Sequence, residues 1–248
     1  MPATRTRLLV LLITLTCTMA VAQQATTDPP RKNQESPPVP GLADLPLIES
    51  PGTRSSNYLA VHITGDGGYG GTDRGLSQML ADHGIPVVAL NSLHYFWTKR
   101  TPDEAAADLQ RILEHYRLTW RKDRYILIGY SMGADDLPFM LTRLPRSSLE
   151  RVALVALLGP GPYGAFQFHL TQWLGRPPSE PTLPVQPEIE KLRGVRMLCF
   201  AGDEDKEAIC GRLDPGLVRP VALEGGHRIG NHFEPVGEAI LREVGLKK

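Results

Sequence analysis

The chain has 248 residues, 42% of them hydrophobic and 22% charged, an ordinary globular composition whose length suits one α/β domain or two small ones. Its 27 Lys and Arg balance its 27 Asp and Glu, so no charge excess points to nucleic acid. The sequence has no H-E-x-x-H run and no paired Cys or His spacing, so a metal site is unsupported, and no cofactor is implied.

Residues 1–22 read as a secretory signal peptide. Arg5 and Arg7 give a basic start, residues 8–15 are apolar, and Ala20-Val21-Ala22 forms an A-x-A cleavage site before Gln23. The apolar stretch is too short for a membrane anchor. Thr16 is a poor residue before a lipidated Cys17. Residues 23–43 are polar and Pro-rich and lack the apolar side chains that offset ordering entropy, which predicts a flexible linker. The globular domain is expected over residues 44–248.

From there strand-like and helix-like segments alternate. Residues 58–63 read as a strand that ends in the Gly-rich loop 64–72, and 73–83 as a helix closed by Gly84. Residues 85–90 form an apolar strand. Thr101-Pro102-Asp103-Glu104 is a capping box with proline at the first helical position, opening a helix to about residue 120. Strands follow at 125–128, 151–158, 196–201 and 219–223, with helices at 134–144 and 233–244. Continuous apolar strands separated by helices predict an α/β fold, a mainly parallel sheet with helices on both faces. The insert 159–187, rich in Gly, Pro and aromatics, follows a strand. It is expected at the ligand-binding edge of the sheet as a lid or pocket wall.

The strand at 125–128 runs straight into Gly129-Tyr130-Ser131-Met132-Gly133, a G-x-S-x-G nucleophile elbow. Such a turn exposes a serine hydroxyl at its tip and aims the next backbone N–H at a developing oxyanion. The bland alternative is a Gly-rich turn whose serine caps the helix. An activated serine needs a base, and the base an orienting carboxylate. In a hydrolase of this kind the order along the chain is Ser, acid, His. His227, in Glu224-Gly225-Gly226-His227 just after the last strand, is the expected base, with His232 as competitor. The acid is expected after strand 196–201, where Gly202-Asp203-Glu204-Asp205 offers Asp205 at the usual offset and Asp203 as runner-up. Met132 N–H is one expected oxyanion donor. The second is expected from Asp66 or Gly67 in the Gly65-Asp66-Gly67-Gly68 loop. That loop is not followed by Gly-Lys-Ser/Thr, which argues against a phosphate cradle. Asp135 either complements the helix dipole or faces the site to meet a cationic substrate group. Once the signal is cut, Cys199 and Cys210 remain. They are a candidate disulfide around the acid segment; the alternative is two separate thiols.

Several motifs together resemble the bacterial virulence protein VirJ family and the C-terminal half of AcvB proteins. They are Thr64-Gly65-Asp66-Gly67-Gly68, Tyr95-Phe96-Trp97, the stretch from Ile128 to Asp135, Leu137-Pro138-Phe139 and Gly225-Gly226-His227. The resemblance implies an α/β-hydrolase fold in the periplasm of a Gram-negative bacterium. It also implies links to virulence and type IV secretion and, for AcvB-like members, hydrolysis of aminoacyl-phosphatidylglycerol. By position the family's serine falls on Ser131 and its histidine on His227. Two function classes follow. One is a periplasmic serine esterase acting on a small-molecule or lipid ester, with transient contact at the membrane surface. The other is a non-catalytic assembly protein on a hydrolase scaffold whose partners are periplasmic secretion-system proteins.

Overall fold

The computed structural model describes residues 39–53, 55–168, 183–228 and 233–247. The apolar run expected at 125–128 is the middle of β4 (Arg124–Tyr130), whose five central residues are buried. Its neighbours are β2 (Tyr58–Ile63) on one side and β5 (Val152–Leu158) on the other, both parallel to it. β3 (Val87–Leu90) lies beyond β2, and β8 (Met197–Gly202) and then β9 (Val218–Leu223) lie beyond β5. The outermost strand is β1 (Leu47–Ser50), antiparallel to β3. Among the described residues the sheet therefore has seven strands, in the order β1-β3-β2-β4-β5-β8-β9. β1 was not foreseen, because four residues with a charged Glu49 carry little strand signal.

Side chains alternate across the sheet, so each strand feeds two apolar layers. Leu59, Val61, Ile63, Tyr125 and Leu127 pack under α3 (Pro102–Thr119) and α4 (Met132–Leu141). Ala60, Ile126 and Ile128 pack under α1 (Gly71–Asp82) and the closing helix (Phe233–Glu243). Thr101 caps α3 as expected: its hydroxyl accepts from Glu104 N–H at 3.2 Å, and Glu104 Oε2 accepts from Thr101 N–H at 2.7 Å.

Packing extends further toward the N-terminus than the expected domain start. Val39, Leu42 and Leu45 are buried in the first apolar layer, so the packed chain begins before residue 44. The apolar side chains at the end of the Pro-rich stretch join the core rather than trailing in solvent, and Arg111 of α3 reaches the Asp44 carboxylate beside them. The expected signal peptide, and the linker up to residue 38, lie outside the described residues. The insert 159–187 is only partly described. Its flanks form a two-stranded ribbon, β6 (Tyr163–Gly164) with β7 (Leu183–Pro184). Phe166 stands edge-on to both Phe96 and Phe139. These flanks make a wall beside α4. Among the described residues no helix is long and apolar enough to cross a membrane.

Candidate active site

Ser131 stands between β4 and α4 with φ 51° and ψ −120°. This is a sparsely populated region for a residue with a side chain, and it costs on the order of 1–3 kcal/mol. The turn is held by Ser131 N–H donating to the Leu158 carbonyl at 2.8 Å and by Ala134 N–H donating to the Ser131 carbonyl at 2.7 Å. The flanking glycines are demanded by crowding rather than by φ. A Cβ on Gly129 would run into the Gly133 carbonyl, and one on Gly133 into the carbonyl oxygens of Ile63 and Thr64. The first turn of α4 thus rests directly on the end of β2.

Ser131 Oγ lies 2.8 Å from His227 Nε2, and His227 Nδ1 lies 2.9 Å from Asp205 Oδ2. An ionised carboxylate only accepts, so Nδ1 carries the ring proton and Nε2 is left to accept from the hydroxyl. His227 leaves the C-terminal end of β9 through Gly225 and Gly226. Its ring rests on Gly159, where a Cβ would come 3.2 Å from Cε1. Gly159 was not singled out from the sequence. The signal available was a glycine immediately after an apolar strand.

Asp205 follows β8, with a side chain only 3% exposed, against 47% for His227. Burial pushes its pKa up, but hydrogen bonds from His227, Glu207 N–H and Ala208 N–H outweigh burial and hold it below the ordinary value. Asp205 therefore stays ionised through the neutral range. Asp203, the alternative acid, does different work: its Oδ1 accepts from Gly225 N–H at 2.9 Å, stapling the exit of β9 to that of β8. The competitor base His232 lies outside the described residues.

Cys199 and Cys210 form a disulfide with Cα atoms 5.4 Å apart, both cysteines being buried. Two separate thiols are therefore not what the structure contains. The bridge closes a loop with Asp205 inside it, and Ile209 N–H ties that loop to the Pro160 carbonyl at 2.8 Å. The double variant Cys199→Ala with Cys210→Ala is expected to lose about 3 kcal/mol of stability, the loop-closure effect for a ring of this size. Urea unfolding with and without reductant checks this. Reductant should lower the wild-type midpoint and leave the variant's unchanged.

Gly65 to Gly68 make a tight turn in which Gly68 N–H donates to the Gly65 carbonyl at 3.0 Å, with Gly68 at φ +77°. A Cβ on Gly65 would lie 3.3 Å from Ser131 Cβ, so this loop borders the serine. Of the two expected second donors, half-buried Asp66 follows Gly65 directly. Gly67 is exposed, with open space where a Cβ would be. Met132 opens α4, and its N–H is one of the unpaired first-turn donors every helix has.

Asp135 and Asp136 both reach the insert. Asp135 Oδ1 accepts from Gly161 N–H at 2.6 Å, and Asp136 Oδ1 from Ala165 N–H at 2.9 Å. Burial, then the neighbouring Asp136 charge and that of Asp66, push the Asp135 carboxyl well above its ordinary range, against the Gly161 bond. Asp136 is fully buried, and burial raises its pKa to about 7 in spite of the Ala165 bond. The folded state therefore holds a proton on Asp136 that the unfolded chain releases near pH 3.8. Stability falls as pH rises from about 4 to about 7 and is level in this respect above that. Asp136→Asn keeps the Oδ1 acceptor and removes the charge. Its urea midpoint relative to wild type is expected to be higher at pH 8 than at pH 5, and an equal difference at both would contradict this.

An open α/β sheet with a strained serine on the central strand, faced by a histidine and a buried carboxylate, has the α/β-hydrolase fold. Solved structures agree on the scaffold. MenH from S. aureus superposes with TM-score 0.60 at 14% identity, over 80% of this chain and 97% of that one. Est1E from Butyrivibrio proteoclasticus superposes with TM-score 0.59 at 12% identity, over 80% and 94%. A structure from a study of the metagenome-derived lipolytic enzymes LipS and LipT gives TM-score 0.54 at 18% identity, over 80% and 96%. No curated protein matches the chain significantly. The family model for the bacterial virulence protein (VirJ) matches residues 57–247, and the chain belongs to that family.

Proposed function

We propose that this chain is a serine hydrolase of carboxylic esters. Ser131 Oγ attacks the acyl carbon while His227 Nε2 takes its proton, and Asp205 holds the ring and offsets the imidazolium charge. The tetrahedral oxyanion is met by Met132 N–H and Asp66 N–H. Collapse expels the alcohol, which takes the proton from His227. The same imidazole then removes a proton from water, which attacks the acyl-enzyme and releases the acid. The observation that carries this reading is the continuous chain of two hydrogen bonds, 2.8 and 2.9 Å, from Ser131 through His227 to Asp205.

The substrate we favour carries a cation near the scissile ester, and aminoacyl-phosphatidylglycerol has that chemistry. Asp135 follows the elbow on α4, within electrostatic reach of Asp66 and Asp136. Burial and like charge keep its carboxyl from ionising readily, so an incoming ammonium group would restore its charge and be held by it. The protein acts after export, in keeping with the Cys199–Cys210 disulfide.

The experiment is fluorophosphonate labelling of purified protein, paired with release of amino acid from vesicles containing lysyl-phosphatidylglycerol. Labelling at Ser131 with release of lysine is the expected result. Labelling without release, together with turnover of simple esters, removes the lipid substrate and keeps the esterase. No labelling of the wild type removes the hydrolase and leaves the scaffold reading.

A further inference from the structure

The parallel ladder between β2 and β3 ends at the bond from Thr64 N–H to the Leu90 carbonyl, 3.1 Å. Beyond it the two chains part. One enters the Gly65–Gly68 turn and the other a single helical turn, α2 (Ser92–Tyr95). At the fork two side chains clasp. Ser92 Oγ donates to the Thr64 carbonyl at 2.6 Å, and Ser92 N–H donates to Thr64 Oγ1 at 2.9 Å. Thr64 Oγ1 in turn donates to the Gly65 carbonyl at 3.2 Å. Both residues are fully buried. The clasp supplies partners for backbone groups that the ladder no longer pairs and that no water reaches.

The same Thr64 carbonyl has a second neighbour. Together with the Ile63 carbonyl it forms the surface on which Gly133 packs so closely that no Cβ fits. Gly133 is the residue after Met132. One peptide is therefore gripped by Ser92 on one side and abuts the Met132–Gly133 turn on the other. The chain that continues from it passes Ser131 at Gly65 and reaches Asp66. Moving the Thr64 peptide changes the separation of the two N–H groups.

We propose that Ser92 and Thr64 are positioning residues for the oxyanion site, their reciprocal hydrogen bonds setting where Asp66 N–H stands relative to Met132 N–H. The inference rests on the reading of Ser131 as the nucleophile. Oxyanion donors act only if they are fixed where the charge develops, and loss of one costs about 10²–10³-fold in kcat. A displaced donor costs less, so the expected loss on breaking the clasp is roughly 10–100-fold.

The test uses the full mature chain with a p-nitrophenyl ester and an arylboronic acid, which forms a tetrahedral adduct with an active serine. Ser92→Ala and the near-isosteric Thr64→Val are expected to lower kcat roughly 10–100-fold with KM within about twofold. Boronic acid affinity should weaken in parallel. Thr64→Ser keeps the hydroxyl and is expected to restore kcat to within about threefold of wild type. If Ser92→Ala does not fold, as judged by its thermal transition, the Thr64→Val and Thr64→Ser pair decides the matter. Unchanged kcat in folded variants overturns the proposal. So does a rise in KM alone, unweakened boronic acid binding, or an equal loss in Thr64→Ser. An inactive, unlabelled wild type overturns the nucleophile reading itself and the proposal with it, a result distinct from active wild type with indifferent variants.

Discussion

Ser131→Ala is expected to reduce kcat on the order of 10⁶-fold while the protein keeps its fold. Alanine retains the Cβ that borders Gly65, and it removes only the Oγ that lies 2.8 Å from His227 Nε2. The residual rate would come from the oxyanion donors and from binding, since residues of a triad act as a unit. Initial rates on an activated ester, together with fluorophosphonate labelling, measure the loss. Activity above about one-thousandth of wild type would mean another nucleophile.

The second large effect separates the two acids. Asp205→Asn should cost about 10⁴-fold in kcat, because an amide at that position no longer enforces the proton on Nδ1 or balances the imidazolium. Asp203→Asn keeps an oxygen for Gly225 N–H and should stay within about tenfold of wild type. The two positions are two residues apart, in the same turn after the same strand. The contrast therefore isolates contact with the ring from general disturbance of the loop. Equal losses in both, measured as kcat at saturating substrate, would show that the carboxylate acts through loop structure and not on His227.

The alternation of apolar runs and helices carried the sheet, because a strand buried on both faces has to be apolar throughout. β4, β5 and β8 fall on the strands expected at 125–128, 151–158 and 196–201, each within a few residues at its ends. β1 and the β6–β7 ribbon were not legible, since strands of two to four residues owe their existence to the edge they find, not to their own pattern. The start of packing leaves little trace in the sequence for a related reason. Val39 and Leu42 are isolated apolar residues among prolines, and only the surface they cover makes them core.

At the site, the elbow motif marks Ser131, and Asp205 and His227 are expected because each follows a strand, where the chain must turn at the sheet's C-terminal edge. The Gly-x-x-Asp offset favours Asp205 over Asp203, and the coordinates show what each carboxylate does. Both lie in one turn, and only the conformation after Gly202 decides which carboxylate points to the ring and which to Gly225. The Thr64–Ser92 clasp had no signal in sequence. Two small hydroxyl residues 28 positions apart become partners only when parallel strands lay them side by side. Asp135 stands out in the sequence as an early helix acid, but its hold on Gly161, like that of Asp136 on Ala165, depends on where the insert folds back.

The proposed base, His227, is borne by the sheet's margin. Among the described residues β9 pairs only with β8, and Arg219, Pro220 and Ala222 along it are exposed. The proposed nucleophile, Ser131, in contrast issues from the centre, where β4 is flanked on both sides. Marginal strands detach in sub-global openings well below the free energy of complete unfolding. Peeling of β9 would carry the imidazole away while β2, β4 and β5 stay folded. Ester turnover should therefore vanish at a lower urea concentration than far-ultraviolet ellipticity does, and hydrogen exchange should find the amides of Val221 and Leu223 less protected than those of Leu127 and Ile128.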